Sequence, residues 1–237
     1  MAIYQRDSFL AELSAQLGRA KPTQVTPPTL PYDVHHQVLQ DASSDELTEQ
    51  LKAYSQNALG ARFELVTQAD FSHRLMQVCC DYVGQSNQET VLSADPRLTA
   101  LIEHSDFEKA NLALYQFDET TPETENLRHV EAAKVGVVYC EQALAESGTM
   151  VLYSTSKQSR MLSLLPEVTV FVVAKSTLVA RITQAMEPLS QQATDGQRIA
   201  SCVNLISGPS STADIELTKV VGVHGPTEAC YIVLDDL

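Results

Sequence analysis

Three apolar segments in the second half of the chain limit its fold more than any other feature. They span residues 135–139, 168–174 and 231–234, and each is nearly continuous instead of alternating between apolar and polar side chains. A strand with one solvated face alternates, whereas a strand that is covered on both faces does not. The segments therefore predict a buried, mainly parallel sheet with helices on both faces.

Helix signals alternate with strand signals over most of the chain. Ser43 and Glu46 form a capping-box pattern, residues 71–83 read as a helix closed by Gly84, and Asp95-Pro96 is typical of a helix start. Further strands are predicted at residues 63–66, 91–93, 111–115, 150–153 and 199–206. The pattern predicts one three-layer α/β/α domain over residues 34–237.

The first 33 residues form a separate region. Residues 6–17 predict an amphipathic helix that ends at Gly18, and four prolines make residues 20–33 an extended leash. The helix can pack on its own subunit or contact a partner or a second copy of the chain. The prolines are Pro22, Pro27, Pro28 and Pro31.

Charge and hydropathy exclude several classes of partner. The formal net charge is -14, from 30 acidic and 16 basic side chains, so the long-range field repels nucleic acid and anionic lipid. No apolar run approaches the roughly 20 residues of a membrane helix, and Arg6, Asp7 and Glu12 lie where a secretion signal would be apolar. We expect a cytoplasmic protein that does not insert into membranes.

The five cysteines do not have the spacing of a metal site. They lack a Cys-x-x-Cys pattern and a histidine at metal-ligand spacing, and they predict reduced, mostly buried thiols. We therefore expect no metal and no iron–sulfur cluster to be held by this chain alone. The residues are Cys79, Cys80, Cys140, Cys202 and Cys230.

The C-terminal region contains small polar residues typical of a ligand loop. Glycine allows a ligand to approach the backbone, and hydroxyls supply hydrogen-bond donors. A helix that starts near Ser211 or Thr212 would direct its positive end toward an anion. The predicted ligand-binding residues here are Ser207, Gly208, Ser210, Thr212 and Gly225.

A second polar turn lies upstream, at Ser147, Gly148 and Thr149, and we predict that these residues also bind the ligand. It follows Glu146, which can act as a base or nucleophile, position a ligand, or support the fold.

Two further residues are candidates for catalysis. His224 can carry a proton or make a structural hydrogen bond. Asp214 is preferred over Glu216 because it is nearer the glycine loop, although both can simply cap a helix. The sequence contains no dinucleotide fingerprint, Walker loop or Gly-x-Ser-x-Gly elbow.

The two polar motifs, with Arg160 and the segment 164–170 between them, resemble the lactate-utilisation protein C family (LutC/YkgG), which carries the LUD domain. The resemblance covers roughly residues 135–237. It implies a NagB/RpiA/CoA-transferase-like fold, in which ligands lie at the carboxyl ends of parallel strands.

The resemblance also implies a function. The chain would be a component of the L-lactate utilisation system, which oxidises L-lactate to pyruvate with iron–sulfur partner subunits. It would offer an organic-anion pocket or an assembly surface and hold no cofactor itself. The alternative is a stand-alone enzyme on a small anion or a CoA thioester, similar to a CoA-transferase or a sugar-phosphate isomerase.

Overall fold

A computed structural model describes residues 4–20, 28–29, 31–84, 86, 88–214 and 217–237. It divides into two compact units, Met1–Val34 and His35–Leu237. The first contains helix α1 (Arg6–Gln16), which agrees with the predicted N-terminal helix. Pro22 and Pro27 of the predicted leash lie outside the described residues.

The remaining elements alternate along the chain as the sequence predicts. The helices are α2 (Val34–Gln37), α3 (Ser44–Tyr54), α4 (Phe71–Val83), α5 (Pro96–Thr99), α6 (His104–Lys109), α7 (Glu123–Ala132), α8 (Met161–Leu164) and α9 (Ile182–Thr194), with a π-helical turn (Ser55–Leu59) and a 3₁₀ turn (Lys175–Thr177). The strands are β1 (Arg62–Thr67), β2 (Thr90–Leu92), β3 (Leu114–Gln116), β4 (Val135–Tyr139), β5 (Gln142–Leu144), β6 (Thr149–Tyr153), β7 (Val168–Ala174), β8 (Leu178–Val179), β9 (Val203–Ser207), β10 (Ser211–Thr212), β11 (Val220–Val221) and β12 (Glu228–Asp235).

The main sheet has six parallel strands in the order β1-β12-β7-β4-β2-β3. Successive side chains of β7 point to opposite faces, so Val170 packs toward α4, α5 and α6, while Phe171 packs toward α3, α7 and α8. Both faces are apolar because both are covered, which explains the continuous apolar runs. The predicted α/β class with a mainly parallel sheet is confirmed.

A second sheet corrects the predicted arrangement of two strands. β6 and β9 do not join the main sheet; they belong to a four-stranded sheet in the order β8-β5-β6-β9, where β6 pairs antiparallel with both β5 and β9. The physical reason is the short turn between β5 and β6, which brings β6 back beside β5 as a hairpin. Met150 and Leu152 of β6 pack in the same core as Phe171.

Local capping signals are confirmed at the residues that carry them. The Ser43 side chain accepts a hydrogen bond from the Glu46 N–H, and Glu46 accepts one in return from the Ser43 N–H. The Asp95 carboxylate accepts a hydrogen bond of 2.9 Å from the Arg97 N–H at the start of α5. Among the described residues, no helix has both the length and the hydropathy required to span a bilayer.

Candidate functional site

Two glycine turns lie side by side at one end of the second sheet. β6 and β9 pair with Thr149 opposite Ser207. Gly148, just before β6, is therefore next to Gly208, just after β9. Their φ angles are 61° and 68°, a conformation that glycine adopts without steric cost.

The hydroxyl of Tyr231 joins these two turns. It accepts a hydrogen bond of 2.6 Å from the Gly208 N–H and donates one of 2.8 Å to the Gly148 carbonyl. Burial raises the pKa of Tyr231, so the hydroxyl keeps the proton that it donates. Because Tyr231 lies within β12, the main sheet fixes the position of two loops that belong to the second sheet.

The side chain of Leu59 packs against the same two glycines. A Cβ atom on Gly148 would come within 2.7 Å of Leu59 Cδ1, and one on Gly208 would come within 2.9 Å of Leu59 Cβ. Leu59 is the last residue of the π-helical turn. Both turns thus require glycine for space as well as for backbone conformation.

A chain of three hydroxyls connects the two predicted polar motifs. Ser147 Oγ and Thr149 Oγ1 are hydrogen-bonded at 2.7 Å, and Thr149 Oγ1 and Ser207 Oγ are hydrogen-bonded at 2.7 Å. Thr149 is buried between its partners. Thr149 and Ser207, which are 58 residues apart, therefore bring the two motifs into direct contact. That these residues bind a ligand stays a prediction.

Ser207 and Gly208 line a cleft of about 330 Å³. Its other walls are residues 209–211, residues 224–226, the end of α8, and the first residues of β7 and β12. This volume lies at the lower end of the roughly 300–1,000 Å³ typical of small-molecule sites.

The cleft lies at the opposite end of the parallel strands from the end that was predicted. Thr169 is the second residue of β7 and Glu228 the first residue of β12, and both line the cleft. The cleft is therefore at the amino ends of these parallel strands, and the predicted position at their carboxyl ends is wrong. The prediction failed because the loop at residues 207–211 follows β9, which belongs to the second sheet and runs antiparallel to β6.

The predicted helix near Ser211 is also wrong. Ser211 and Thr212 form β10, which pairs antiparallel with Val221 and Val220 of β11. No helix dipole therefore points at the cleft from this segment. The backbone completes a small hairpin here because β11 supplies hydrogen-bond partners that sequence proximity did not reveal.

Backbone hydrogen bonds hold the two C-terminal loops together. The Ser210 N–H donates to the Pro226 carbonyl at 2.9 Å, and the Gly222 N–H donates to the Ser210 carbonyl at 2.8 Å. A Cβ atom on Gly225 would lie 3.2 Å from Ser210 Cβ. Glycine at this position therefore permits the close approach that forms one wall of the cleft.

The side chains around the cleft are mainly neutral. Of the described residues that line it, Glu228 carries a permanent charge, His224 can become charged, and none is lysine or arginine. His224 and Glu228 are exposed, and the side-chain hydrogen bonds and ion pairs identified among the described residues include neither of them. The His224 side chain is thus available to a ligand. The Glu228 side chain alternates with that of Ala229, which packs in the same core as Phe171, so it lies on the face of the main sheet that α4 covers.

Two predicted catalytic residues lie elsewhere. Glu146 Oε2 accepts a hydrogen bond of 2.6 Å from Arg181 Nε, and Glu146 does not line the cleft. Asp214 is exposed and does not line the cleft, and its N–H donates to Thr212 Oγ1 at 3.2 Å. Glu216 lies outside the described residues. The structure groups His224 with the glycine and serine residues and separates it from Glu146 and Asp214.

Sequence reasoning missed three residues that shape this site. Tyr231 interrupts an apolar strand with a polar group that needs a partner when buried, which is a usable signal. Glu228 begins the same strand, but its position at the cleft depends on strand order. Leu59 carries no sequence signal because its contacts with both glycines are made only in the folded chain.

Comparison with known proteins identifies the family. A family model described as LUD domain matches residues 45–234, which covers most of the second compact unit. The chain belongs to the LUD domain family. The expected resemblance is therefore confirmed.

Relatives of the LUD domain chain match it over nearly their whole lengths. The uncharacterized protein YkgG of Escherichia coli (strain K12) is 37% identical over 233 residues, covering 98% of each chain. Lactate utilization protein C of Shouchella clausii is 38% identical over 235 residues, covering 99% of each chain. Lactate utilization protein C of Bacillus subtilis (strain 168) is 35% identical over 241 residues, covering 99% of this chain and 98% of its own.

A solved structure supports the fold. The crystal structure of a DUF162 family protein from Deinococcus radiodurans superposes with a TM-score of 0.57 at 18% identity. The match covers 81% of this chain and 98% of that one.

Proposed function

We propose that this LUD domain chain is a cytoplasmic component of lactate utilisation. In this proposal its cleft binds a small organic anion, and iron–sulfur partner subunits oxidise L-lactate to pyruvate. The observation that carries the proposal is the similarity, over nearly the whole length, to proteins named lactate utilization protein C.

The make-up of the cleft supports a small ligand. Its volume of about 330 Å³ suits a metabolite, and the hydroxyls of Ser207 and Ser210 and the imidazole of His224 offer hydrogen-bond donors. The Tyr231 hydrogen bonds hold the Gly208 end of this lining in place. A pre-formed set of neutral donors can hold a carboxylate without a cationic side chain.

The cysteines support the assignment of electron transfer to partner subunits. Cys79, Cys140 and Cys230 are buried, and burial raises the pKa of each thiol. A cluster requires thiolates, so these residues are poor iron ligands. Cluster-bearing partners would then carry the electrons.

The alternative function, a stand-alone enzyme with Glu146 as base or nucleophile, has less structural support. The Glu146 carboxylate is paired with Arg181, and Glu146 does not line the cleft. Turnover of a CoA thioester or a phosphosugar by the purified chain, abolished by Glu146→Gln, would establish this alternative in place of our proposal.

A growth experiment tests the proposed function. Deletion of the gene should abolish growth on L-lactate as carbon source and leave growth on pyruvate unchanged, and the intact gene should restore it. Affinity isolation from lactate-grown cells should recover iron–sulfur proteins, and lactate-dependent electron transfer should require this chain. Normal growth of the deletion strain on lactate would contradict the proposal.

Two histidine variants then test the cleft. His224→Ala should complement the deletion poorly because it removes a hydrogen-bond donor from the cleft. His104→Ala is the matched control, since His104 is exposed on α6 and does not line the cleft. Equal complementation by both variants would show that the cleft imidazole has no part in the function.

A further inference from the structure

Strand β9 lies at the edge of the second sheet. The strand order is β8-β5-β6-β9, so within the described residues β9 pairs with β6 on one side and with no strand on the other. An unpaired edge presents a row of backbone N–H and C=O groups to any extended chain that reaches it. The direction of these groups along β9 decides what the edge can bind.

Alternate residues of β9 direct their backbone groups away from β6. The Ser154 N–H donates to the Cys202 carbonyl at 3.0 Å, and these two residues are directly opposite in the register of β6 and β9. In an antiparallel pair, opposite residues alternate between hydrogen-bonded and non-hydrogen-bonded positions. The residues of β9 whose backbone groups face outward are therefore Val203, Leu205 and Ser207.

The hydrogen bonds of Tyr231 agree with this alternation. Gly208 and Gly148 continue the same register, and their backbone groups should face each other. The Tyr231 hydroxyl lies between them, accepting from the Gly208 N–H at 2.6 Å and donating to the Gly148 carbonyl at 2.8 Å. For the outward groups of β9, no hydrogen-bond partner is identified among the described residues.

Charged side chains are absent from this edge. No Asp, Glu, Lys or Arg occurs between Arg198 and Asp214, although the whole chain has a formal net charge of -14. By contrast, β1 at the edge of the main sheet carries Arg62 and Glu64, and charges on an edge strand hinder its pairing with other chains. β9 lacks this protection, and Leu205 at its centre is 42% exposed.

A second copy of β9 meets the requirements of this edge. If two copies run antiparallel about a two-fold axis at Leu205, the two Leu205 residues lie opposite each other, and Val203 of each copy lies opposite Ser207 of the other. Each opposite pair exchanges two hydrogen bonds, so about six would form. The neutral strands approach without local charge repulsion, and the two Leu205 side chains cover each other from water.

We infer that β9 is a self-association surface, on which a second copy of this chain pairs antiparallel and joins the two four-stranded sheets into one continuous sheet. The inference goes beyond the proposed function, because it does not depend on any ligand. It also places Val203 of one copy beside Ser207 of the other, where the cleft begins. The competing occupant is an extended segment of a different protein, which would leave the purified chain monomeric.

Sedimentation velocity of the full chain tests this inference. The wild type should form dimers at micromolar concentrations. Their affinity should rise between about 0.05 M and about 0.5 M salt, because salt screens the repulsion between two copies that each carry a charge of -14. A chain that stays monomeric up to about 1 mM at both salt concentrations would overturn the inference. So would an affinity that falls with salt, which is typical of an interface held by ion pairs.

Two matched lysine variants locate the surface. Leu205→Lys places like charges directly opposite each other and should weaken dimerisation at least about tenfold. Leu65→Lys is the control, since Leu65 is 47% exposed on β1 and should leave dimerisation unchanged. Both side chains are exposed, so circular dichroism should show that both variants are folded. Equal dimerisation by the two variants would overturn the assignment to β9.

A disulfide tests the two-fold register. Opposite residues of a hydrogen-bonded antiparallel pair have Cα atoms about 5.5 Å apart, within the range of about 4.4–6.8 Å that a disulfide spans. Leu205→Cys should therefore form a covalent dimer on mild oxidation, and mass spectrometry should recover the peptide linked through position 205 of both copies. Leu65→Cys should form no such dimer. A covalent dimer in both variants, or in neither, would overturn the antiparallel pairing.

Discussion

The backbone N–H of Gly208 donates a hydrogen bond of 2.6 Å to the hydroxyl of Tyr231. This contact ties the turn after β9 to the interior of β12, which belongs to a different sheet. The geometry of the candidate cleft therefore depends on the docking of two sheets and not on the loop alone.

Tyr231→Phe should destabilise the protein by about 2–3 kcal/mol. The substitution leaves two buried backbone groups, the Gly208 N–H and the Gly148 carbonyl, without a hydrogen-bond partner. Urea unfolding measured by circular dichroism checks this value. Tyr153→Phe is the matched control, since Tyr153 is half-buried and its hydroxyl has no identified hydrogen bond among the described residues. The control should change stability by less than about 0.5 kcal/mol. Equal effects of the two variants would contradict a structural role for the Tyr231 hydroxyl.

Gly208→Ala should cost more stability than the same substitution at Gly196. Both glycines have positive φ angles, 68° and 71°, so both variants pay the backbone cost of about 1 kcal/mol. A Cβ at position 208 would also meet Leu59 Cβ at 2.9 Å, whereas nothing lies within 4 Å at position 196. We expect an additional cost of about 1–3 kcal/mol at Gly208 in urea unfolding.

A double substitution can separate this steric conflict from backbone strain. At the adjoining turn, a Cβ at position 148 would meet Leu59 Cδ1 at 2.7 Å, and Leu59→Ala removes that atom, so Gly148→Ala should cost less in the Leu59→Ala background than in the wild type by about 1 kcal/mol. Strict additivity of the two substitutions would show that Leu59 does not restrict the turn.

Asp95 should contribute stability that disappears in acid. Burial raises the pKa of this carboxyl, but hydrogen bonds from the Arg97 side chain and backbone outweigh burial and hold the pKa below its ordinary value of 3.8. The folded pKa is thus lower than the unfolded one, so the contribution is complete above about pH 4 and is lost as the pH falls through the folded pKa.

Asp95→Asn should therefore reduce the free energy of unfolding by about 1–2 kcal/mol at pH 7. The difference from the wild type should shrink when urea unfolding is repeated at pH 3. A difference of the same size at both pH values would show that the charge of Asp95 is not responsible.

Native cysteine labelling should be confined to two positions. Cys80 and Cys202 are half-buried, whereas Cys79, Cys140 and Cys230 are buried, and burial raises the pKa of Cys230 to about 12. Iodoacetamide at pH 8 should modify the first two in the native protein and all five in urea, as measured by peptide mass spectrometry. Rapid native labelling of Cys79, Cys140 or Cys230 would contradict their placement in the core.

The sequence indicated many of the residues of the candidate site, but it did not indicate how they are arranged in space. Polar turns at Gly148 and Gly208 stand out in the sequence, and the structure brings them together through Tyr231. The pairing of Glu146 with Arg181, 35 residues away, had no local signal. The cleft wall at Glu228 was equally hidden, because its position follows from the order of strands in the sheet.

The sequence by itself determined the elements whose signals are local. The capping box of Ser43 and Glu46, the start of α5 at Asp95, the span of α4, and the apolar strands of the main sheet all follow from neighbouring residues. Only the tertiary structure decided that β6 and β9 pair antiparallel in a second sheet, that Ser211 begins a strand, and that the cleft opens at the amino ends of β7 and β12. These outcomes depend on which distant backbone groups find each other as hydrogen-bond partners, and no short stretch of sequence carries that information.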